Sequence, residues 1–79
     1  MERNTQIEFG RLIIGDRFYK ANDTKKTVWE KVQGDVKKTY FQTYRHFAVK
    51  ADEINYINAH PVAMKATTIV IFLRNRFEG

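Results

Sequence analysis

Through much of the chain, apolar and polar residues alternate with a period of two, the mark of strands with one buried face. The clearest case is Thr27–Gln33. There Val28, Glu30 and Val32 fall on one side and Thr27, Trp29 and Lys31 on the other. Upstream, Asp16–Ala21 predicts a strand around Phe18 and Tyr19, and the polar Asn22–Lys26 reads as the hairpin loop between the two. Gly15-Asp16 and Gly34-Asp35 read as turns. Residues 7–14, rich in Ile, Phe and Leu, lead into the first of them.

The stretch 37–50 alternates throughout. As one extended segment it puts Phe41, Thr43, Arg45, Phe47 and Val49 on one face. Tyr40, Gln42, Tyr44, His46, Ala48 and Lys50 fall on the other. It is long for one strand, so a bend or bulge is expected near Arg45-His46. Ala51–Ala59 carries two patterns. Asp52 and Glu53 suit a helix start, while Ile54-Asn55-Tyr56-Ile57-Asn58 alternates like a strand, so a short strand or a single helical turn is expected before His60-Pro61. Thr67–Arg74 is continuously apolar and β-branched, which predicts a central strand buried on both faces.

These elements predict a mainly β protein: a small SH3-like or OB-like barrel, with room for one short helix. The alternative is a sheet of three or four strands covered by that helix. Seventy-nine residues without repeats, linkers or low-complexity segments make one domain, 1–79, whose polar residues 1–6 are expected to be flexible. Hydrophobic residues at 43% exclude a disordered chain.

The segment Phe9-Gly10-Arg11-Leu12-Ile13-Ile14-Gly15-Asp16-Arg17-Phe18, followed by Thr27-Val28-Trp29-Glu30-Lys31-Val32, resembles the opening of small uncharacterised phage and bacterial proteins. Those begin Phe-x-x-Leu-x-x-Gly-Asp-x-Phe. The resemblance covers the first 33 residues, and Lys37–Lys50 departs from it. It implies a small SH3-like barrel from a mobile element and carries no catalytic residues. The motif also makes physical sense alone. Phe9 and Leu12 should pack inward, Gly15-Asp16 should turn the chain, and Phe18 should bury beside Val28 and Val32.

Chemistry narrows the functions. There is no Cys and no Ser, so the common nucleophiles are missing. His46 and His60 have no ligand spacing for zinc, the acidic residues are scattered, and no glycine-rich phosphate loop exists. We therefore expect a non-enzymatic binding module with no metal and no cofactor. The polar start lacks a signal-peptide core, and the longest apolar run, Ile69–Leu73, is far short of a membrane span. A soluble cytoplasmic protein with no membrane partner is the expectation.

Charge then points to a partner. Fourteen Lys/Arg against nine Asp/Glu give a net charge of +5, which favours anionic partners. Basic and aromatic residues interleave in 37–46, so Lys37, Lys38, Tyr40, Tyr44, Arg45 and His46 are the candidate nucleic-acid-binding set. Lysines would neutralise phosphates and rings would stack on bases. In the alternative reading the chain is a phage-type accessory protein that docks on a host or viral protein. Phe18, Tyr19, Trp29 and Tyr56 would then be its apolar anchors, and pairing of copies through an exposed sheet edge is compatible with either.

Overall fold

The register between the two strands read around Phe18 and Trp29 decides which face is core. In the computed structural model, which describes residues 2–54 and 59–77, β2 (Asp16–Lys20) pairs antiparallel with β3 (Trp29–Val32). Phe18 faces Trp29 and Arg17 faces Glu30. Cross-strand partners share a side, so Phe18 and Trp29 enter the core together while Glu30 joins Arg17 on the opposite face. Phe18 thus buries beside Trp29. It does not bury beside Val28 and Val32, which lie on the other, half-covered side.

Three further strands extend this pair: β6 (His46–Lys50), β7 (Val62–Met64) and β8 (Ile69–Asn75). With β1 (Gln6–Glu8) they form one antiparallel sheet of six strands in the order β1-β8-β2-β3-β6-β7. The chain is therefore mainly β, but β1 and β7 are separate edges and the sheet is not a closed barrel. A separate hairpin, β4 (Lys37–Lys38) with β5 (Thr43–Tyr44), stands between β3 and β6. Near the N-terminus, the N–H of Asn4 donates to Phe72 O at 2.6 Å and Thr5 O accepts from Phe72 N at 2.9 Å, so β8 holds the chain from residue 4 onward.

The core lies on one face of the sheet. A single 3₁₀ turn, Phe9–Arg11, and the following Leu12 cover it. Phe9, Leu12, Phe18, Trp29, Ala48, Met64, Val70 and Phe72 form one cluster, with Ile7 packed against it. The face opposite the core is covered only in part, which corrects one expectation: Glu30, Phe47 and Val49 are buried there, under the chain at Gly34 in the case of Phe47. β8 is interior to the sheet, yet Val70 and Phe72 are buried on the core side while Ile69 and Arg74 are exposed and Ile71 is half-buried. Residues 51–54 form a turn closed by Glu53 N donating to Lys50 O, and the rest of the ambiguous segment, residues 55–58, falls outside the described residues.

Gly15-Asp16 closes the fold. Gly15 has φ +94°, a left-handed conformation that side chains resist, and a Cβ there would stand 2.7 Å from the Phe77 ring. The Asp16 carboxylate accepts from Ile13 N at 2.9 Å and from Asn75 Nδ2 at 2.8 Å. Asn75 Nδ2 also donates to Ile14 O, and Asn75 Oδ1 accepts from Phe77 N. A bulge in β8 makes this possible. The register changes between Arg17 and Phe18, so Leu73 drops out of the pairing and Asn75 comes opposite Asp16. The β2–β3 loop is organised similarly. Asp23 accepts from the backbone N–H groups of Thr27 and Lys25, and those bonds hold its carboxyl below the usual value.

Core and surface should separate in stability measurements. Phe18→Ala should cost about 3–5 kcal/mol, the range for deleting a fully buried aromatic side chain. Tyr40→Ala, at an exposed site, should stay within about 0.5 kcal/mol. Urea unfolding followed by circular dichroism measures both.

Candidate nucleic-acid interface

The residues that alternate through 37–50 do not form one strand. The chain reverses at Thr39–Gln42, where Thr39 N donates to Gln42 O at 2.8 Å. The Thr39 hydroxyl donates to the same carbonyl and accepts from Gln42 N at 3.1 Å. These bonds close a tight turn and leave Tyr40 and Phe41 at its tip. The two rings are 95% and 90% exposed and meet edge to face, with centroids 5.0 Å apart.

Below the tip, Lys37 stands opposite Tyr44 and Lys38 opposite Thr43. The expected row of Lys38, Tyr40, Gln42, Tyr44 and His46 along one strand face is thus replaced by a hairpin. One side of it presents Lys37 with Tyr44, the other Lys38 with Thr43, and two rings cap the end. Phe41 belongs to this surface although the alternation assigned it to the opposite face. The expected break near Arg45-His46 does occur: β5 ends at Tyr44, Arg45 is unpaired, and β6 begins at His46.

Anchoring falls to the strand that follows. Phe47 is buried, and a Cβ on Gly34 would lie 2.7 Å from its ring, so the chain entering the hairpin packs directly on that ring. His46 pairs with Met64 in the main sheet and sets its ring against the Phe9 ring, with centroids 6.0 Å apart. It therefore belongs to the base of the hairpin, on the core side. Burial holds its imidazole below the usual histidine range, and the charges of Lys31 and Arg45 push it the same way.

Lys31 is the unexpected member of this region. It is only 5% exposed, on the core face of β3. Its ammonium donates to Leu12 O at 2.6 Å and to Phe9 O at 3.3 Å, and lies 5.0 Å from the centre of the Phe9 ring. Burial lowers its pKa, and Asp16 partly opposes that shift. No spacing rule flags such a residue. The only sequence signal is its phase with Trp29 on the core side of β3.

The second candidate set does not make a surface. Phe18 and Trp29 are core side chains, placed there by the β2–β3 register. Tyr19 is half-buried with Lys26 5.8 Å over its ring, and Tyr56 lies outside the described residues. Among the described residues, no group of three His, Cys, Asp or Glu side chains is placed to hold a metal ion. No helix among them is long and apolar enough to cross a membrane.

No family model, no curated protein and no solved structure matches this chain. The reading of the site therefore rests on its own residues.

If the Arg45 charge contributes to the His46 shift, Arg45→Gln should move the His46 titration midpoint upward, toward the ordinary value. Histidine ring resonances followed by NMR against pH report it. An unmoved midpoint would leave burial and Lys31 as the whole cause.

Proposed function

We propose that the protein is a non-enzymatic nucleic-acid-binding module that grips its ligand with the β4–β5 hairpin. The observation that carries this reading is the pair of almost fully exposed rings, Tyr40 and Phe41, on a stem bearing Lys37 and Lys38. Rings in water next to cations match both halves of a nucleotide: bases stack on aromatic faces and phosphates draw Lys and Arg. Lys37, Lys38 and Arg45 are assigned to phosphates, and Tyr40, Phe41 and Tyr44 to bases. From Val36 to His46 the sequence contains no acidic residue to oppose this, and the net charge of +5 acts in the same direction at longer range. Stacking and backbone charge tolerate any base, so no sequence specificity is assigned.

In this reading the sheet is an open variant of the SH3-like and OB-like barrels, whose strand faces and loops commonly carry such surfaces. A cytoplasmic location accompanies it. A second reading has support in Val36, which is exposed at the base of the stem and adds apolar area to the hairpin. The hairpin would then dock on a protein, as a phage-type accessory factor would. Pairing of copies through β1 or β7 is compatible with both.

Fluorescence anisotropy with labelled single-stranded and duplex oligonucleotides, at several salt concentrations, tests the proposal. Three phosphate contacts on a single strand predict a log–log salt slope of about −2. Tyr40→Ala/Phe41→Ala should weaken binding at least tenfold, given about 1–3 kcal/mol per stacked base. The absence of binding at low salt would favour the protein-docking reading, which a nuclease-treated pull-down then addresses.

A further inference from the structure

A cleft of about 420 Å³ opens at the base of the hairpin, between the loop that ends in Ile13-Ile14 and the segment bearing Arg45 and His46. Its size suits a small ligand group. Lys31, Arg45 and His46 line it, and no carboxylate does. Among the described residues, the acid that acts on Lys31 is Asp16, and its carboxylate is already engaged by Ile13 N and Asn75. The Lys31 ammonium is held by the carbonyls of Phe9 and Leu12, so its charge is fixed in the floor and acts through space. Arg45 is exposed and His46 half-exposed, so both are free to touch a ligand. Across from them, Ile13 and Ile14 are 64% and 47% exposed, an apolar lip beside a cationic wall.

A cationic wall facing an apolar lip fits a phosphate joined to a flat, weakly polar group. We propose that this cleft seats one unstacked nucleotide of a single strand, its phosphate on Arg45 and His46 and its base on Ile13 and Ile14. The inference rests on the nucleic-acid reading of the hairpin and adds to it a second seat that holds one nucleotide by both its phosphate and its base. In a duplex the bases are stacked and paired, so none reaches the lip without being extruded. Stacking on the hairpin rings makes the same demand, so both sites select the single strand.

The site also couples binding to protons. The groups that face His46 are Lys31 from β3, the adjacent Arg45 and the Phe9 ring, so its surroundings are cationic or apolar. A phosphate placed there favours the imidazolium. The histidine pKa in the complex then exceeds that of the free protein, protons are taken up on binding, and affinity rises as pH falls through that window.

The test uses the whole chain with labelled oligothymidylate and a duplex of equal length. Anisotropy is recorded from pH 7.5 down to 5.5, and the His46 ring is followed by NMR, assigned with a His60→Gln variant. Single-strand affinity should rise as pH falls, and the His46 midpoint should move up when oligothymidylate is added. Ile13→Ser/Ile14→Ser should weaken single-strand binding about tenfold and change duplex binding less than twofold, with an unaltered circular dichroism spectrum. The NMR measurement needs no variant at the cleft, so the proposal stays testable if that variant unfolds. If single strands bind but the His46 midpoint does not move, or the isoleucine variant binds them as the parent does, the cleft assignment is overturned and the hairpin reading survives. If no oligonucleotide binds at low salt, both are overturned.

Discussion

The ammonium of Lys31 sits on the core face of the sheet, and much of the structure follows from how it is held. Moving a lysine charge out of water carries an effective penalty of several kcal/mol. Here two backbone carbonyls, Phe9 O and Leu12 O, accept from it, and charge-assisted bonds contribute about 1.5–3 kcal/mol each. The Phe9 ring, with its centre 5.0 Å away, adds a cation–π contact of order 1 kcal/mol. These contacts oppose the penalty without cancelling it, since burial still lowers the Lys31 pKa. They also tie the turn after β1 down onto β3. That turn covers Phe18 and Trp29, so covering the core and satisfying the lysine are one act. The same contact fixes where Ile13 and Ile14 emerge, and it places a positive charge beneath His46.

The opposite face is covered only in part, around Glu30, Phe47 and Val49. Glu30 is 2% exposed there, yet it is not isolated: Arg17 Nε lies 3.1 Å from one carboxylate oxygen and Arg76 NH1 3.2 Å from the other. Both arginines are about one-third exposed, so solvent screens the pairs and each is worth little by itself. Their value is organisational. Arg17 and Glu30 are register partners, and Arg76 follows the Asn75 that closes on Asp16, so the carboxylate ties the end of β8 to the centre of the sheet. Two arginine stems laid over the sheet also shield apolar area that would otherwise face water.

Sequence periodicity was informative wherever strand and turn chemistry agreed. Val28, Glu30 and Val32 alternate against Trp29 and Lys31 as their spacing requires. Gly15-Asp16 and Asp23 announce turns through a positive φ and a short carboxylate that bonds nearby backbone. The hairpin was hidden because its turn, Thr39-Tyr40-Phe41-Gln42, has no Gly, Asn, Asp or Pro. A threonine hydroxyl closes it, and two aromatic residues with strong strand preference occupy its tip. Period-two patterns reveal sides within a strand, while the register between strands decides which sides meet, so spacing alone pairs Phe18 with Val28 and Val32 where the register gives it Trp29. The run Thr67–Arg74 predicts burial on both faces. Apolar composition alone cannot say whether a second layer exists to provide it.

The candidate site draws on both faults of legibility, and they have a common physical origin. Two-residue strands such as β4 and β5 are marginal as an isolated pair, and the rings at their tip contribute almost nothing to the core. A folding requirement would favour residues that stop the chain there or bury its rings. Neither is present, so the hairpin persists through its attachments: Gly34 against Phe47 at one end, and the break at Arg45 leading into β6 at the other. Those attachments root the stem beside His46, where Lys31 supplies charge from beneath, and leave the rings at the far end. The main sheet satisfies its own core without the hairpin tip, so the tip's aromatic surface is not explained by folding. The proposed nucleic-acid ligand would account for it, because such a strand offers bases to the rings and phosphates to the cations.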